Sequence, residues 1–154
     1  MNRLRIFQSN RLLQPIEIAH IENKLGEFIK EWNAHGDPLA ASFEIRYNFF
    51  IFIRVDESKV RVTGCSIDKL VRLIKSIEDS LRISLLDPTQ IAYRRFVGQP
   101  IEVVPQPAFQ ALLNDKVLDP NEVIVFNNMI TEDNLLINSW EVPLRRSWHA
   151  RVYL

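Results

Sequence analysis

The feature that most constrains this fold is an unbroken alternation of apolar residues from position 43 to position 55. Alternation with a period of two is the signature of a β-strand that buries one face. Phe50 and Phe52 interrupt the otherwise polar opposite face, which is typical of an interior strand covered on both sides. The alternating set comprises Phe43, Ile45, Tyr47, Phe49, Ile51, Ile53 and Val55.

The residues that follow predict a return strand and then a helix. Residues 56–59 have the composition of a hairpin turn, and Val60 and Val62 would form a short return strand. Apolar residues then recur at steps of three and four as far as Leu81, which predicts an amphipathic helix. Ser66 is a good N-cap for that helix.

The order of elements predicts an α+β fold. A short first strand precedes a helix that starts at Pro15 and ends near Gly36, and residues 90–97 form a strand after the second helix. Strand, helix, strand, strand, helix, strand is the ferredoxin-like βαββαβ order. We predict a single domain, 1–154, with this core over about 1–97 and an extension over about 98–154. A differently ordered mixed or antiparallel sheet with helices packed on it is the alternative.

Length and charge narrow the class of protein. The chain has 154 residues, and its 19 basic residues equal its 19 acidic ones. This balance argues against nucleic-acid binding and leaves little charge to oppose a homodimer. One cysteine cannot form an internal disulfide, and we find no secretory signal, so we expect a cytoplasmic protein. The longest apolar run, residues 49–53, is too short to cross a membrane.

Several common sites are excluded by the sequence. No GxxxxGK[ST] loop and no GxGxxG fingerprint can be drawn through the four glycines, Gly26, Gly36, Gly64 and Gly98. HExxH, paired CxxC and GxSxG motifs are also absent, and one cysteine with three scattered histidines does not make a structural zinc site. We therefore expect neither a metal nor a cofactor.

Polar residues from two segments meet at one edge of the predicted sheet. Unpaired backbone N–H groups at a helix N-terminus carry partial positive charge, so a thiol there ionises more easily than a free one. Cys65, His35 and Asp68 are therefore candidate catalytic residues, acting as nucleophile, base and orienting carboxylate, with Asp37 as the alternative carboxylate. The same edge could instead hold an anion. Its candidate ligand-binding residues are Asp37, Gly64 and Ser66.

A second candidate ligand-binding group follows Ser147. Trp148 and Trp140 could line an aromatic pocket, and His149 is both a candidate ligand-binding residue and an alternative base for Cys65. Structural roles compete with all these assignments. A single cysteine is often a small buried apolar residue, and a tryptophan can simply complete a core.

Five short segments, taken together, resemble a family of small uncharacterised bacterial proteins of similar length. The segments are 32–36, 55–57, 64–68, 125–128 and 147–149. Members of that family are often labelled "ABC transporter ATPase". ATP hydrolysis of that kind needs a P-loop, which this chain lacks. The resemblance therefore implies neither an activity nor functional residues.

The function most consistent with the sequence is a small-molecule- or protein-binding module without catalytic turnover. A thiol-dependent enzyme or redox sensor that uses Cys65 is the alternative. A third hypothesis is single-stranded RNA binding on a strand face that carries Arg46, Phe50, Phe52 and Arg54, because aromatic residues on such sheets stack bases.

Overall fold

The computed structural model describes residues 2–154, which form helices and antiparallel sheets, so the predicted α+β class is confirmed. The strands are β1 (Asn2–Gln8), β2 (Asn33–Ala34), β3 (Asp37–Pro38), β4 (Ala40–Arg46), β5 (Phe50–Asp56), β6 (Gln90–Arg94), β7 (Glu102–Pro105), β8 (Ile124–Phe126) and β9 (Glu141–Pro143). The α-helices are α1 (Pro15–Glu31), α2 (Gly64–Leu81), α3 (Gln106–Asn114), α4 (Leu136–Ser139) and α5 (His149–Tyr153). Two 3-10 turns span Asp133–Leu135 and Leu144–Arg146.

The chain divides into two compact units. The first unit runs to Leu86 and also includes Thr131–Asp133. The second contains Asp87–Ile130 and Asn134–Leu154. No helix within residues 2–154 is long and apolar enough to cross a bilayer.

The alternating stretch forms a hairpin, and the prediction of one long strand is wrong. Tyr47 and Asn48 both adopt left-handed backbone conformations, with φ of 57° and 59°, and they reverse the chain between β4 and β5. The N–H of Phe49 closes the turn on the carbonyl of Arg46. Two successive residues with positive φ are characteristic of tight β-hairpin turns. The predicted return strand at Val60–Val62 is absent, since β5 ends at Asp56 and irregular chain leads to α2.

The first sheet has the order β1-β5-β4 and is antiparallel throughout. This is the ferredoxin-like arrangement as far as α2, because β5 lies between the two strands that α1 connects. The fourth strand of that arrangement, β6, belongs to a different sheet. The outer edge of β1, where a fourth strand would pair, is taken by residues 131–133. Leu4 N–H donates to the carbonyl of Thr131, and the backbones of Arg3 and Glu132 form an isolated antiparallel β-bridge.

The core of the first unit lies between the sheet and the two long helices. Ile51, Ile53 and Val55 point from β5 into this core, where Leu25 of α1 and Leu70 of α2 meet them. All five residues are almost completely buried. Burial of such side chains is the main force that holds this unit together.

The second unit is built on a four-stranded sheet of order β7-β6-β8-β9. Its core contains Tyr93, Phe109 and Tyr153, and the Phe109 ring meets the Tyr153 ring edge-on at 5.1 Å between centroids. Residues 150–153 belong to α5, which brings Tyr153 into this core. Tyr153 lies on the side of α5 that contacts Phe109.

Candidate functional site

A cleft of about 240 Å³ opens at one end of the first unit, where β4 begins and β5 ends. We call it the end cleft. Its walls combine apolar carbons with a carboxylate, a hydroxyl and an ammonium group. The lining residues are Pro38, Ala40, Asp56, Ser58, Lys59 and Val60.

A tight hairpin supplies one wall of the end cleft. His35 and Gly36, with φ of 53° and 85°, turn the chain between β2 and β3. Positive φ is easy for glycine and uncommon for histidine, so the hairpin fixes an unusual backbone at His35. Leu39 N–H then donates to the carbonyl of Trp32, which directs the chain past Pro38 into β4. The predicted helix end at Gly36 is wrong, because α1 ends at Glu31 with Trp32 as its C-cap.

Residues 58–60 supply the facing wall, and Glu57 holds their loop in place. One of its carboxylate oxygens accepts from Val62 N–H at 2.9 Å, and the other is 3.0 Å from Arg3 Nε. Burial works to raise the pKa of Glu57, but these two contacts outweigh it and the pKa lies below its usual value. Glu57 is therefore ionised, and its two contacts hold the loop in place.

Asp56 and Lys59 give the end cleft its charge. Asp56 is exposed, and its Oδ1 accepts from Ser58 N–H at 3.0 Å, which lowers the pKa of Asp56. Asp56 is therefore ionised at neutral pH. The exposed side chain of Lys59 adds a positive charge to the same rim. The cleft thus offers both an acceptor and a donor beside the apolar side chains of Pro38, Ala40 and Val60.

The helix that carries Cys65 begins next to this loop. Thr63 is the N-cap of α2, so the prediction that Ser66 caps the helix is wrong. Thr63 Oγ1 accepts from Ser66 N–H at 3.1 Å, and Ser66 Oγ accepts from Thr63 N–H at 2.7 Å, a reciprocal capping box. Serine can hold the third helical position because its hydroxyl replaces the glutamate that is usual there. Ser66 is buried and committed to this capping role.

The start of α2 is tied to the end of α1. Trp32 is buried, and its indole Nε1 donates to the carbonyl of Ser66 at 2.9 Å. Strand β2 also contacts α2. The structure therefore brings the hairpin with His35 and Asp37 close to the helix with Gly64 and Cys65, as the topology predicts.

The individual thiol-site residues are exposed and unconnected. Cys65 occupies the second position of α2 and is exposed, as are His35 and Asp68. Within residues 2–154, no hydrogen bond or ion pair links Cys65 to either of them. The arrangement is an accessible thiol at a helix N-terminus, without an assembled base.

Trp148 and His149 lie in the second unit, whereas Cys65 lies in the first. His149 is only 2% exposed, and its Nδ1 is 2.7 Å from Ser147 Oγ. Its ring stacks on the Trp148 ring with 3.8 Å between the two centroids. Burial lowers the pKa of His149 to about 4, so the ring is neutral at neutral pH. This packing gives both residues a structural role in the second unit.

The strand face proposed for RNA binding is not available for base stacking. Phe50 and Phe52 are fully buried. Arg54 is engaged by carboxylates on both sides, with Nε 2.6 Å from Asp133 Oδ1 and Nη2 2.9 Å from Glu44 Oε1. A stacking platform needs exposed rings, which this face lacks.

The part of the chain that the structure describes contains no group of three or more histidine, cysteine, aspartate or glutamate residues able to hold a metal ion. Comparisons with protein-family models, curated proteins and solved structures found no match to the chain. The resemblance noted in the sequence analysis therefore stays a prediction, and the site has to be interpreted from its own geometry.

The sequence predicts the meeting of the two segments at one sheet edge, but it does not predict the end cleft. The sequence predicts a turn over residues 56–59 and assigns no binding role to Pro38 or Ala40. The signal in the sequence is the pair of charged residues, Asp56 and Lys59, beside the apolar Val60, because ligand pockets combine apolar side chains with a few polar groups.

Proposed function

We propose that the chain is a binding module without catalytic turnover, and that the end cleft holds a small ligand or one side chain of a protein partner. The observation that carries this proposal is the end cleft itself, whose lining combines the apolar side chains of Pro38, Ala40 and Val60 with opposite charges from Asp56 and Lys59. Such a combination is what ligand sites use for affinity and orientation.

The size of the end cleft limits the ligand. Pockets for drug-sized molecules have volumes of about 300–1,000 Å³. At about 240 Å³ the end cleft suits a smaller group that has an apolar part and a polar or charged end. A carboxylate of the ligand would face Lys59, and an amine or hydroxyl would face Asp56.

The test is a binding screen with fragments that carry a carboxylate, an amine or both on a short aliphatic body. Ala40→Leu fills the end cleft from the start of β4. Ser42→Leu is the matched control, because Ser42 is also exposed, lies two residues along the same strand face and does not line the cleft. We expect fragments that bind the unchanged protein to lose binding with Ala40→Leu and to keep it with Ser42→Leu. Equal loss with both variants, or no bound fragment, would contradict the proposal.

A thiol enzyme or redox sensor is the second candidate, supported by the exposed position of Cys65 at the start of α2. Reactive cysteines are accessible to solvent, as Cys65 is. Alkylation of Cys65 in the native protein should then be faster at neutral pH than in the urea-unfolded chain, which is the internal reference. If His35 acts as the base, His35→Ala should slow the native rate. A native rate no faster than the unfolded rate would eliminate this candidate.

A further inference from the structure

The first sheet has one protected edge and one open edge. Residues 131–133 pair with β1 and occupy its outer side. At the other end of the sheet, β4 pairs with β5 on one side, and no described strand pairs with its outer side. An open edge presents unpaired backbone N–H and C=O groups that can bind another strand.

The strand at the open edge is long and poorly protected. β4 has seven residues, and it contains neither proline nor lysine, the residues that usually guard an edge. Its two charges are bound within the chain, since Arg46 Nε lies 2.7 Å from Glu44 Oε2 and Arg54 also contacts Glu44. The charges of β4 are therefore partly neutralised and do not repel an approaching strand.

The side chains of β4 are left partly uncovered. Phe43 and Ile45 pack against the core of the first unit, yet both are only partly buried. Their partners on the central strand, Ile53 and Ile51, are at most 1% exposed. One more strand beside β4 would cover Phe43 and Ile45 in the same way as β4 covers β5.

We infer that β4 pairs antiparallel with β4 of a second copy of this chain, about a two-fold axis at Phe43, to give a continuous six-stranded sheet. This register overlaps the whole strand, and a two-fold interface requires a self-complementary surface. It sets Phe43 opposite Phe43 of the second copy. It also sets Ala41 opposite Ile45, a small residue against a large one, and Ser42 opposite Glu44, a donor against an acceptor. No two like charges lie directly opposite each other, and the zero net charge of the chain adds no general repulsion.

A pair of charge variants at Ser42 tests both the surface and the register. Ser42 is exposed, and its side chain makes no hydrogen bond within residues 2–154, so substitution there should leave the monomer folded. Ser42→Glu places a carboxylate opposite Glu44 of the second copy at two symmetric positions. Ser42→Lys, the matched control, places an ammonium group there instead. Sedimentation velocity of the full chain over a concentration series measures the dimer Kd of each.

We expect the unchanged protein to form a dimer that dissociates on dilution. Ser42→Glu should raise the Kd by about fivefold or more, because like charges that face each other across strands are destabilising. Ser42→Lys should leave the Kd unchanged or lower it. A protein that remains monomeric at every concentration would overturn the inference. So would a dimer whose Kd responds equally to both variants, because that dimer would use another surface.

Discussion

Acidification should destabilise the second unit through His149. The ordinary pKa of histidine is 6.5, and burial lowers the pKa of His149 to about 4 in the folded protein. Between these two values His149 is protonated in the unfolded chain but neutral in the folded chain, so the free energy of unfolding falls as the pH falls. Each pH unit in this window removes at most about 1.4 kcal/mol, so the loss is about 3 kcal/mol by pH about 4, with no further loss below it.

The assay is urea unfolding, followed by tryptophan fluorescence at several pH values, of the unchanged protein and of His149→Gln. Glutamine cannot titrate, yet its amide group can both donate to and accept from a hydroxyl such as that of Ser147. Some carboxylates have a lowered pKa in the folded protein, such as Glu17 with a pKa of about 2, and their protonation at lower pH reduces stability. This loss is the same in both proteins, so it cancels in the comparison. The unchanged protein should therefore lose more stability than His149→Gln as the pH falls from about 6.5 to about 4.

His35→Gln is the control for general histidine effects, because His35 is exposed. Any change in stability that it shares with His149→Gln is a general effect of removing a histidine. If His149→Gln and the unchanged protein show the same pH dependence, His149 is not a buried neutral group and the reasoning is wrong.

Three further outcomes follow from the described contacts. Thr63→Ala removes the side chain that caps α2 and should lower the unfolding free energy by about 1 kcal/mol in urea titrations. Arg82→Gly should raise it by up to about 1 kcal/mol, since Arg82 ends α2 with a left-handed φ of 54°, whereas Arg82→Ala should give no gain. Trp32→Phe removes the indole donor from the carbonyl of Ser66, which still accepts a backbone N–H within α2, and should cost about 1 kcal/mol, measured in the same way.

The alternating stretch shows both what the sequence predicts and where it misleads. The period of two correctly indicates β-structure with Ile51, Ile53 and Val55 in the core. The same alternation hides the turn. Arg46 pairs with Phe50, which leaves three residues in the loop. An odd number of loop residues keeps odd positions on the same face of both strands, so the alternation continues through the turn. Neither Tyr47 nor Asn48 is glycine, so the usual marker of positive φ is missing.

The candidate site was predictable only in part, for a similar reason. The meeting of the β2–β3 hairpin with the start of α2 follows from the order of elements. The end cleft depends on where Pro38 and Ala40 lie relative to residues 56–60, and only the strand register fixes that. The burial of His149 depends on contacts with Ser147 and Trp148 that the sequence order alone does not define.

The most direct test of the account is to map where a bound fragment perturbs the backbone amides of the full, isotopically labelled chain. Binding in the end cleft should produce chemical-shift changes concentrated at Ala40 and residues 56–60, and Lys59→Met should weaken binding of carboxylate fragments specifically. Shift changes confined to residues 64–68 or to the second unit would contradict the assignment of the end cleft as the binding site.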